Sequence, residues 1–451
     1  MKILTIKVLY GIMTDGVKLK IFILKGETKM SEENKNLNNE PAEAPVEKNE
    51  EAKKPLDKKN IIIIAAAAVV VVVAIVLAIV FGGGQPANNG GEQGGEEGGA
   101  GEEGGATLND YTLGMGVVVN LDSSTTGLAQ VDATVATVVV GADGKIVACR
   151  IDVAQNKVDI TDGYVTVPGE FKTKMELGSA YGMGQPTPLP ADKGWMDNNG
   201  DGKVLEWNEQ AKAFENFVVG LTVAEVEALG AEENLQNKNG HMITTNADLL
   251  AAGCTIQIGD FVNAVVKACK DEFKVSFKSE GNFTLGLGVD SYDDGSADAE
   301  DEDGTVKVYS DMAAFVKGAD GKSLAVLNDA IQPTISFDIA GDITAKTFKG
   351  TKRELKGNYG MGQPDPLPAD KGWMDNNGDG KVLEWYQQSA AFSAHVTGKT
   401  VAEIETLGAE ENLQNKNGHM ITTDADLLAA GCTIQIGAIV DVVVEAANNA
   451  R

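Results

Sequence analysis

The amino-acid sequence predicts an α+β fold: two tandem duplicated domains, each with an antiparallel sheet plus helices, preceded by one transmembrane helix. The duplication is visible directly. Segment 188–207 (PLPADKGWMDNNGDGKVLEW) recurs letter for letter at 366–385, and segment 229–245 recurs at 407–423, both displaced by the same 178 positions. Within each copy, strand patterns come first and helix patterns come after them, without the strand–helix alternation that marks a parallel sheet.

The composition limits the partners of this protein. Its 451 residues include 66 acidic and 38 basic side chains, which gives a formal net charge of −28. Nucleic-acid binding requires clustered Lys and Arg, so we expect no nucleic-acid partner, whereas cations are favoured. The sequence contains no Gly-x-Ser-x-Gly, His-Glu-x-x-His or phosphate-binding loop, so we assign no catalytic residue. A non-enzymatic protein is favoured, and the question stays open.

Residues 1–60 are predicted to form a disordered cytoplasmic tail, because 31–60 is polar and almost free of large apolar side chains. The first 29 residues differ sharply in composition from segment 31–60, and Met30 opens a second candidate start. The sequence favours translation from Met30, with 1–29 not translated. The alternative is a short amphipathic leader.

Residues 61–81 form an unbroken apolar run without a charge. A helix of this length crosses a hydrocarbon core of ~30 Å, and the run exceeds the apolar region of a cleaved signal peptide. Four lysines precede it, at 53, 54, 58 and 59, so the positive-inside rule predicts a single-pass cell-membrane protein with a cytoplasmic N-terminus and extracellular C-terminal domains. The Gly- and Glu-rich segment 82–107 is expected to be a flexible linker.

The two repeat domains are predicted at 108–272 and 273–451. In the first, strand patterns at 112–116, 129–140 and 146–153 surround an Asp-Gly turn at 143–144. Helical spacing occurs later in the repeat, at 207–219 and 259–269. Thr222 and Glu225 form a capping-box pattern, which predicts a second helix through residue 229.

A loop inside the first duplicated segment, 197–204, has the DxNxDG pattern of a calcium loop, and it resembles an EF-hand or dockerin-type loop. The twelfth position of that pattern should be an acidic residue, but it is Asn208 in one copy and Tyr386 in the other. A polar turn without metal is therefore the alternative. The candidate calcium ligands are Asp197, Asn199, Asp201 and Lys203 in the first copy, and Asp375, Asn377, Asp379 and Lys381 in the second.

The tryptophans that flank each loop, at 195, 207, 373 and 385, are expected to pack in the core rather than to stack on a ligand. Two of the four cysteines, Cys149 and Cys269, have no counterpart in the second copy. Outside the cell, a disulfide between them is one expectation, and two free thiols are the other.

The segment 248–259 (DLLAAGCTIQIG) and the apolar stretch after it resemble the C-terminal signature of the FMN-binding domain family. In that family a Ser/Thr-Gly-Ala-Ser/Thr sequence precedes a helix, and its last hydroxyl carries FMN through a phosphoester. Ala252 and Cys254 depart from this pattern, so a relative that keeps the fold without the flavin is the alternative. The cofactor-binding residues implied by the resemblance are Gly253, Thr255, Gly431 and Thr433.

The resemblance implies an extracellular electron carrier with FMN as its cofactor and with redox partners outside the cell. The rival function is a non-redox, calcium-stabilised module that binds partners at the cell surface.

Overall fold

The computed structural model describes residues 108–416 and 418–451. These residues form a mixed α/β structure with antiparallel sheets and several helices, which confirms the fold class in its coarse form. The predicted tail, transmembrane segment and linker lie outside the described residues. Among the helices that are described, none is both long and apolar enough to cross a membrane.

The first repeat contains a five-stranded antiparallel sheet with the order β4-β3-β2-β1-β7. Its strands are β1 (Asn109–Asn120), β2 (Leu128–Gly141), β3 (Ile146–Thr161), β4 (Tyr164–Thr166) and β7 (Val275–Ser279). A separate hairpin joins β5 (Leu235–Lys238) to β6 (His241–Thr244). Strand β7 comes from the beginning of segment 273–451 and extends the sheet of the first repeat.

The second repeat builds its sheet around a central strand in the same way. Its strands are β8 (Phe283–Asp293), β9 (Gly304–Gly318), β10 (Ser323–Ile331), β11 (Thr334–Phe337), β12 (Ile343–Thr347) and the hairpin β13 (Leu413–Lys416) with β14 (His419–Thr422). Strands β10 and β11 pair with β9 in one register and are separated at Gln332 and Pro333. Proline has no N–H to donate to the ladder, so Pro333 divides this strand into β10 and β11. The equivalent strand of the first repeat, β3, is continuous.

The helices of both repeats occur in the same order. They are α1 (Lys174–Leu177), α2 (Trp207–Val218), α3 (Val223–Leu229), α4 (Ala247–Ala251) and α5 (Gly259–Lys270), and then α6 (Lys352–Leu355), α7 (Trp385–Val396), α8 (Val401–Gly408), α9 (Ala425–Ala429) and α10 (Gly437–Asn448). The predicted helices at 207–219 and 259–269 are confirmed within a residue. The predicted capping box is also confirmed, because Thr222 N donates to Glu225 Oε2 at 2.7 Å and the Thr222 side chain accepts from Glu225 N.

Four layers result from the alternation of side chains along the central strands. Successive residues of β2 point to opposite faces of the sheet. Val131 and Val135 join a core cluster that also contains Leu285 and Val316 of the other repeat, whereas Val138 joins a cluster with the helices of its own repeat. The order of layers is therefore helices, sheet, sheet, helices, and the inner faces of the two sheets bury one common core.

Aromatic and polar contacts close this common core at its ends. The centroid of the Phe277 ring lies 5.5 Å from that of Tyr111 and 5.4 Å from that of Phe283. Strands of both repeats therefore contribute to one aromatic cluster. Asn156 donates from Nδ2 to Ser291 Oγ at 3.1 Å across the two sheets. The two repeats keep separate sheets and helical layers, but they do not have separate inner cores.

Close packing of the long helix α5 on strand β1 requires glycine. A Cβ atom at Gly114 or Gly116 would lie 2.1 Å from the carbonyl oxygen of Ala268 or Ala264, respectively. The helix backbone therefore rests directly on the strand backbone at this point. The equivalent contacts in the second repeat join Gly286 to Ala446 and Gly288 to Val442.

A buried ion pair also joins the repeats. Arg353 donates from Nη2 to both carboxylate oxygens of Asp271, at 3.0 and 2.8 Å, and their side chains are only 5% and 8% exposed. Asp271 also accepts hydrogen bonds from Met115 N and Phe273 N. The carboxylate is therefore surrounded by donors, and removal of the guanidinium would leave its charge buried.

We expect Arg353→Met to lower the free energy of unfolding by about 3–5 kcal/mol, because it leaves Asp271 without its counter-charge. The control is Lys356→Met, which breaks the neighbouring but exposed pair with Glu272. That change should cost less than about 1 kcal/mol, since solvent screens the pair. Urea unfolding of both variants measures the difference, and equal losses would contradict the role given to the buried pair.

Candidate functional site

Each repeat contains a cavity between the outer face of its sheet and its own helices. Cavity 1, in the first repeat, has a volume of about 630 Å³, and cavity 2, in the second repeat, has a volume of about 560 Å³. Both lie within the range of ~300–1,000 Å³ that is typical of small-molecule sites. Their walls contain the same residue types at many equivalent positions, so the duplication produced two versions of one site.

The floor of each cavity is the outward face of the central strand. On β2 this face carries polar side chains in the half of the strand that the helices do not cover, and apolar side chains in the other half. Gln130, Asp132 and Thr134 line the cavity, whereas Ala136 and Val138 pack under the helices. The period-2 alternation of the strand therefore places a polar floor beside an apolar core.

Thr255 and Thr433, which the family resemblance selects, line cavity 1 and cavity 2 respectively. Thr255 is 7% exposed. Its backbone N donates to Gln210 Oε1 at 2.8 Å, and its hydroxyl Oγ1 lies 3.2 Å from the same oxygen. In the second repeat, Gln388 holds Thr433 in the same way. The threonine hydroxyl is thus fixed at the cavity wall.

Gln210 is a site residue that the sequence reasoning missed. It is 1% exposed on α2, and its Nε2 donates to the Leu205 carbonyl at 2.9 Å. It therefore connects the threonine segment to the loop that precedes α2. The signal was present in the sequence, because Gln210 stands in the stripe formed by Trp207, Ala211 and Phe214, where a polar residue needs an explanation.

Gly253 and Gly431, the other two predicted cofactor-binding residues, are not among the residues that line the cavities. Both have positive φ angles, +91° and +86°. A Cβ at Gly253 would also lie 2.5 Å from Leu205 Cδ1. These glycines make the turn between the short helix and the threonine, so they position the site without contacting its interior.

The tryptophans have two different environments. Trp207 and Trp385 are 3% exposed and pack in the core, as the sequence predicts. Trp195 and Trp373 are 54% exposed and line the cavities, so the prediction of core packing is wrong for them. They lie on short 3₁₀ turns, Ala191–Met196 and Ala369–Met374, which carry the indoles to the cavity wall instead of the core.

Cavity 2 has an aromatic floor with one cation. Tyr292 and Tyr309 stack with their centroids 5.0 Å apart, and Lys352 Nζ lies 4.6 Å from the Tyr309 ring centre. Lys352 Nζ also lies 4.7 Å from the centroid of the Tyr359 ring and 5.3 Å from that of the Trp385 ring. Three rings thus hold the ammonium by cation–π attraction.

Buried ionisable groups of cavity 2 are shifted toward their neutral forms. Burial raises the pKa of Asp311 to about 7, although the Lys352 ammonium and a hydrogen bond from Tyr292 oppose the shift. Burial lowers the pKa of Lys352 to about 8, while Asp311 opposes this change. Because the pKa of Lys352 stays above 7, its ammonium form predominates at neutral pH.

Cavity 1 has a polar pair on its floor where cavity 2 has an aromatic pair. The cross-strand pair Asn120–Asp132 occupies the place of Tyr292–Tyr309 in the second repeat. Gln130 donates to Asp132 Oδ2 at 2.7 Å, whereas the enclosed Oδ1 of the same carboxylate has no hydrogen-bond partner among the described residues. Asp260, in the first turn of α5, also lines cavity 1, and burial together with the Asp132 charge raises its pKa.

The candidate calcium loop lies against the wall of each cavity. Asp197 accepts backbone hydrogen bonds from Gly200, Asp201 and Gly202 at 2.7, 3.1 and 2.9 Å. Asp201 Oδ1 accepts from Lys203 N at 2.9 Å. The loop is therefore closed by its own backbone donors, as expected for an Asp/Asn/Gly turn. Asp375, Asp379 and Lys381 repeat these contacts in the second copy.

The loop is also joined to the cavity wall. Asn199 Nδ2 donates to the Leu250 carbonyl at 3.1 Å, and Asn377 does the same to Leu428 at 2.9 Å. Asn198 Nδ2 donates to the Thr255 carbonyl at 3.2 Å. A conformational change in the loop would therefore alter the position of the segment that contains Thr255.

The donor set of the loop is small for calcium. Glu206, which comes just after the loop, accepts from Met183 N at 3.0 Å and caps α2, so it is committed away from the loop. Three side chains of each loop remain, whereas Ca²⁺ takes six to eight oxygens. Among the residues the structure describes, no group of three or more His, Cys, Asp or Glu side chains could hold a metal ion. Water would have to supply most ligands.

The four cysteines are free thiols in the structure. Cys149, on β3, is buried, and burial raises its pKa well above the ordinary value. Cys269, near the end of α5, is partly exposed, and burial raises its pKa to about 11. Thiols with raised pKa values are protonated at neutral pH and are poor nucleophiles.

No protein-family model, no curated protein and no solved structure matches this chain. The assignment of a function therefore depends on the cavities themselves and on the residues that line them.

The pKa shifts predict that this protein is more stable at mildly acidic pH. Burial raises the pKa of seven carboxyl groups among the described residues above their unfolded values near 4, four of them strongly, so the folded chain binds more protons between pH 4 and 8. Stability must then fall as the pH rises through this range. The four strongly shifted groups are Asp152 and Asp329 (each about 6), Asp311 (about 7) and Glu445 (about 8).

We expect the thermal midpoint measured by circular dichroism to be higher at pH 5 than at pH 8. Asp329→Asn should flatten this dependence, because it removes one of the four groups and keeps an acceptor for Arg353 N. Glu280→Gln, at an exposed carboxyl, is the control and should leave the slope unchanged. A midpoint that rises from pH 5 to pH 8 would contradict the sign of the shifts.

Proposed function

We propose that this protein is a membrane-anchored extracellular flavoprotein whose repeats form FMN-binding sites in cavities 1 and 2, and that it carries electrons at the cell surface. One observation carries the proposal. Thr255 and Thr433, chosen from sequence resemblance alone, line two equivalent cavities of ligand size instead of lying in the core or on an open surface. The surface location rests on the apolar run 61–81 and the lysines before it.

Residues that occupy equivalent positions in the two cavities correspond to the chemical parts of FMN. The threonine hydroxyl would carry the phosphate, and Gln210 or Gln388 would still hold the threonine through its backbone N–H. The twelve-residue helices α5 and α10 begin four positions after these threonines, and free N–H groups at a helix N-terminus favour a phosphate. Bound FMN would supply one- and two-electron chemistry at these cavities.

The remaining walls suit the flavin ring. Trp195 in cavity 1 and Trp373 in cavity 2 expose apolar, planar surface against which a flat ring can stack. Lys174 and Lys352 line the cavities and offer a cation to an electron-rich ligand. Binding sites of this kind are largely apolar with a few polar groups that fix orientation. Cavity 2, which is lined mainly by aromatic and aliphatic side chains, has that composition, whereas about half of the residues that line cavity 1 are polar.

The test is the intact mass of the protein purified from native membranes, measured under non-denaturing and then denaturing conditions. We expect at least one flavin-sized increment that survives denaturation, and we expect the double variant Thr255→Val/Thr433→Val to lose it. The control is Thr245→Val, because Thr245 is exposed and is not among the cavity-lining residues. A bare polypeptide from native membranes would rule out the proposal.

The second candidate function is a non-redox interaction module stabilised by calcium at the two Asp/Asn/Gly loops. It is favoured by the contacts of Asn198 and Asn199 with the segment that contains Thr255, since a cation in the loop would stiffen the cavity wall. Water would complete the coordination of the loop oxygens.

Under this second function, a chelator should lower the thermal midpoint, and added Ca²⁺ should restore it, because a ligand that binds only the native state stabilises it. Asp197→Asn/Asp375→Asn should abolish the response. The matched control is Asp192→Asn/Asp370→Asn, two exposed carboxyls just before the loops. A midpoint that does not respond to chelator or Ca²⁺ would remove this alternative.

A further inference from the structure

The upper wall has the same amino-acid sequence in both cavities, whereas the floor and the helix end differ in sequence. The loops and hairpins over the cavities come from segments that are identical in both repeats, including Trp195/Trp373 and His241/His419. The sheet floor and the first turn of the long helix have diverged. A common ligand group would therefore meet the same upper wall in both cavities but a different floor and helix end.

The helix end is the difference closest to the candidate attachment residue. Asp260 occupies the first turn of α5, five positions after Thr255, and it lines cavity 1. At the equivalent position of α10, cavity 2 has Ala438. A phosphate on Thr255 would thus meet a carboxylate at the helix N-terminus, and a phosphate on Thr433 would not. Like charges within one cavity disfavour binding, whereas a helix N-terminus without an acidic residue favours it.

The floors differ in their aromatic side chains. In cavity 1, the charge of Asp132 helps to raise the pKa of Asp260, and the charge of Lys174 opposes this shift. Each cavity is lined by one lysine, Lys174 or Lys352. In cavity 2, Tyr309 replaces Asp132 and stacks on Tyr292. The aromatic floor offers a flat ring more stacking surface than the Asn120–Asp132 pair does.

Cavity 2 also contains carboxyl groups, but they lie on the sheet side and have other partners. Asp311 accepts a hydrogen bond from Tyr292, and the ammonium of Lys352 acts on it as an opposite charge. Asp294 accepts from Gln332 Nε2 at 3.1 Å. The first turn of α10 carries no acidic residue.

We infer that the two sites have diverged in specificity: cavity 2 takes the phosphate-bearing flavin at Thr433, and cavity 1 rejects it through the carboxylate of Asp260. The inference rests on the proposed function, and it limits that function to one flavin per chain. Cavity 1 is then free for a ligand with a neutral or cationic group facing Asp132 and Asp260.

The experiment is peptide mapping of flavin on the full chain purified from native membranes. We expect the peptide containing Thr433 to carry flavin at least tenfold more often than the peptide containing Thr255. Asp260→Asn, which removes the charge and keeps the shape, should raise occupancy at Thr255. Ala438→Asp should lower occupancy at Thr433 about tenfold, whereas the neutral control Ala438→Asn should not.

Each outcome decides a different point. Equal occupancy of both peptides, or flavin on the Thr255 peptide alone, would overturn the divergence and leave the proposed flavin function in place. Flavin on neither peptide would remove the proposed function, and the divergence with it. An equal loss in Ala438→Asp and Ala438→Asn would overturn the electrostatic cause. Asp is favourable in the first turn of a helix, so Ala438→Asp is expected to fold, and circular dichroism checks this.

Discussion

The burial of the central strands β2 and β9 on both faces is the constraint on which the rest of the structure depends. Their inner side chains meet across the two sheets and form the core that both repeats share. Their outer side chains must then be covered by each repeat's own helices. Where helix coverage ends, the outer face turns from Ala and Val to Gln, Asp and Thr in the first repeat, and a cavity opens above it. The alternation of side chains along one strand therefore determines the core on one face of the sheet, and the helix contact and the cavity floor on the other.

The shared inner core also determines which positions of the two repeats can diverge in sequence. The inner faces of the two repeats cannot diverge freely in sequence, because they form one core. A large-to-small substitution in that core lowers the stability of both repeats. Their outer faces are under no such joint constraint. This difference fits the observed pattern: the inner faces of both sheets remain apolar, while Asn120 and Asp132 on one outer face correspond to Tyr292 and Tyr309 on the other.

Local features of the fold could be predicted from the sequence because their causes are local. The helix Trp207–Val218 results from the spacing of apolar residues, and the cap of α3 results from Thr222 and Glu225. The packing of the two sheets could not be predicted, since alternation along β2 shows that both faces are buried but not what buries them. The position of Trp195 was missed for a similar reason, because the 3₁₀ turn that carries it outward depends on the loop geometry.

For the candidate site, the family resemblance selected Thr255 and Thr433, which line the cavities, but the sequence did not indicate the residues that hold them or the floor beneath them. Gln210 stands 45 positions before Thr255, and Lys352 reaches Tyr309 across the sheet from another element. Such contacts depend on tertiary structure, which a single sequence does not display. The resemblance to the FMN-binding family covers the turn and the helix after it, whereas the cavity is completed by strands and hairpins that carry no signature.

The most direct test of the central claim, that this protein holds a flavin in a cavity of its repeats, is a crystal structure of the protein purified from native membranes. The account predicts electron density for a flavin in cavity 2, continuous with Thr433 Oγ1 and with its ring among Trp373, Tyr292 and Tyr309. Well-ordered cavity walls with no flavin density in either cavity, or a flavin bound elsewhere on the molecule, would contradict it.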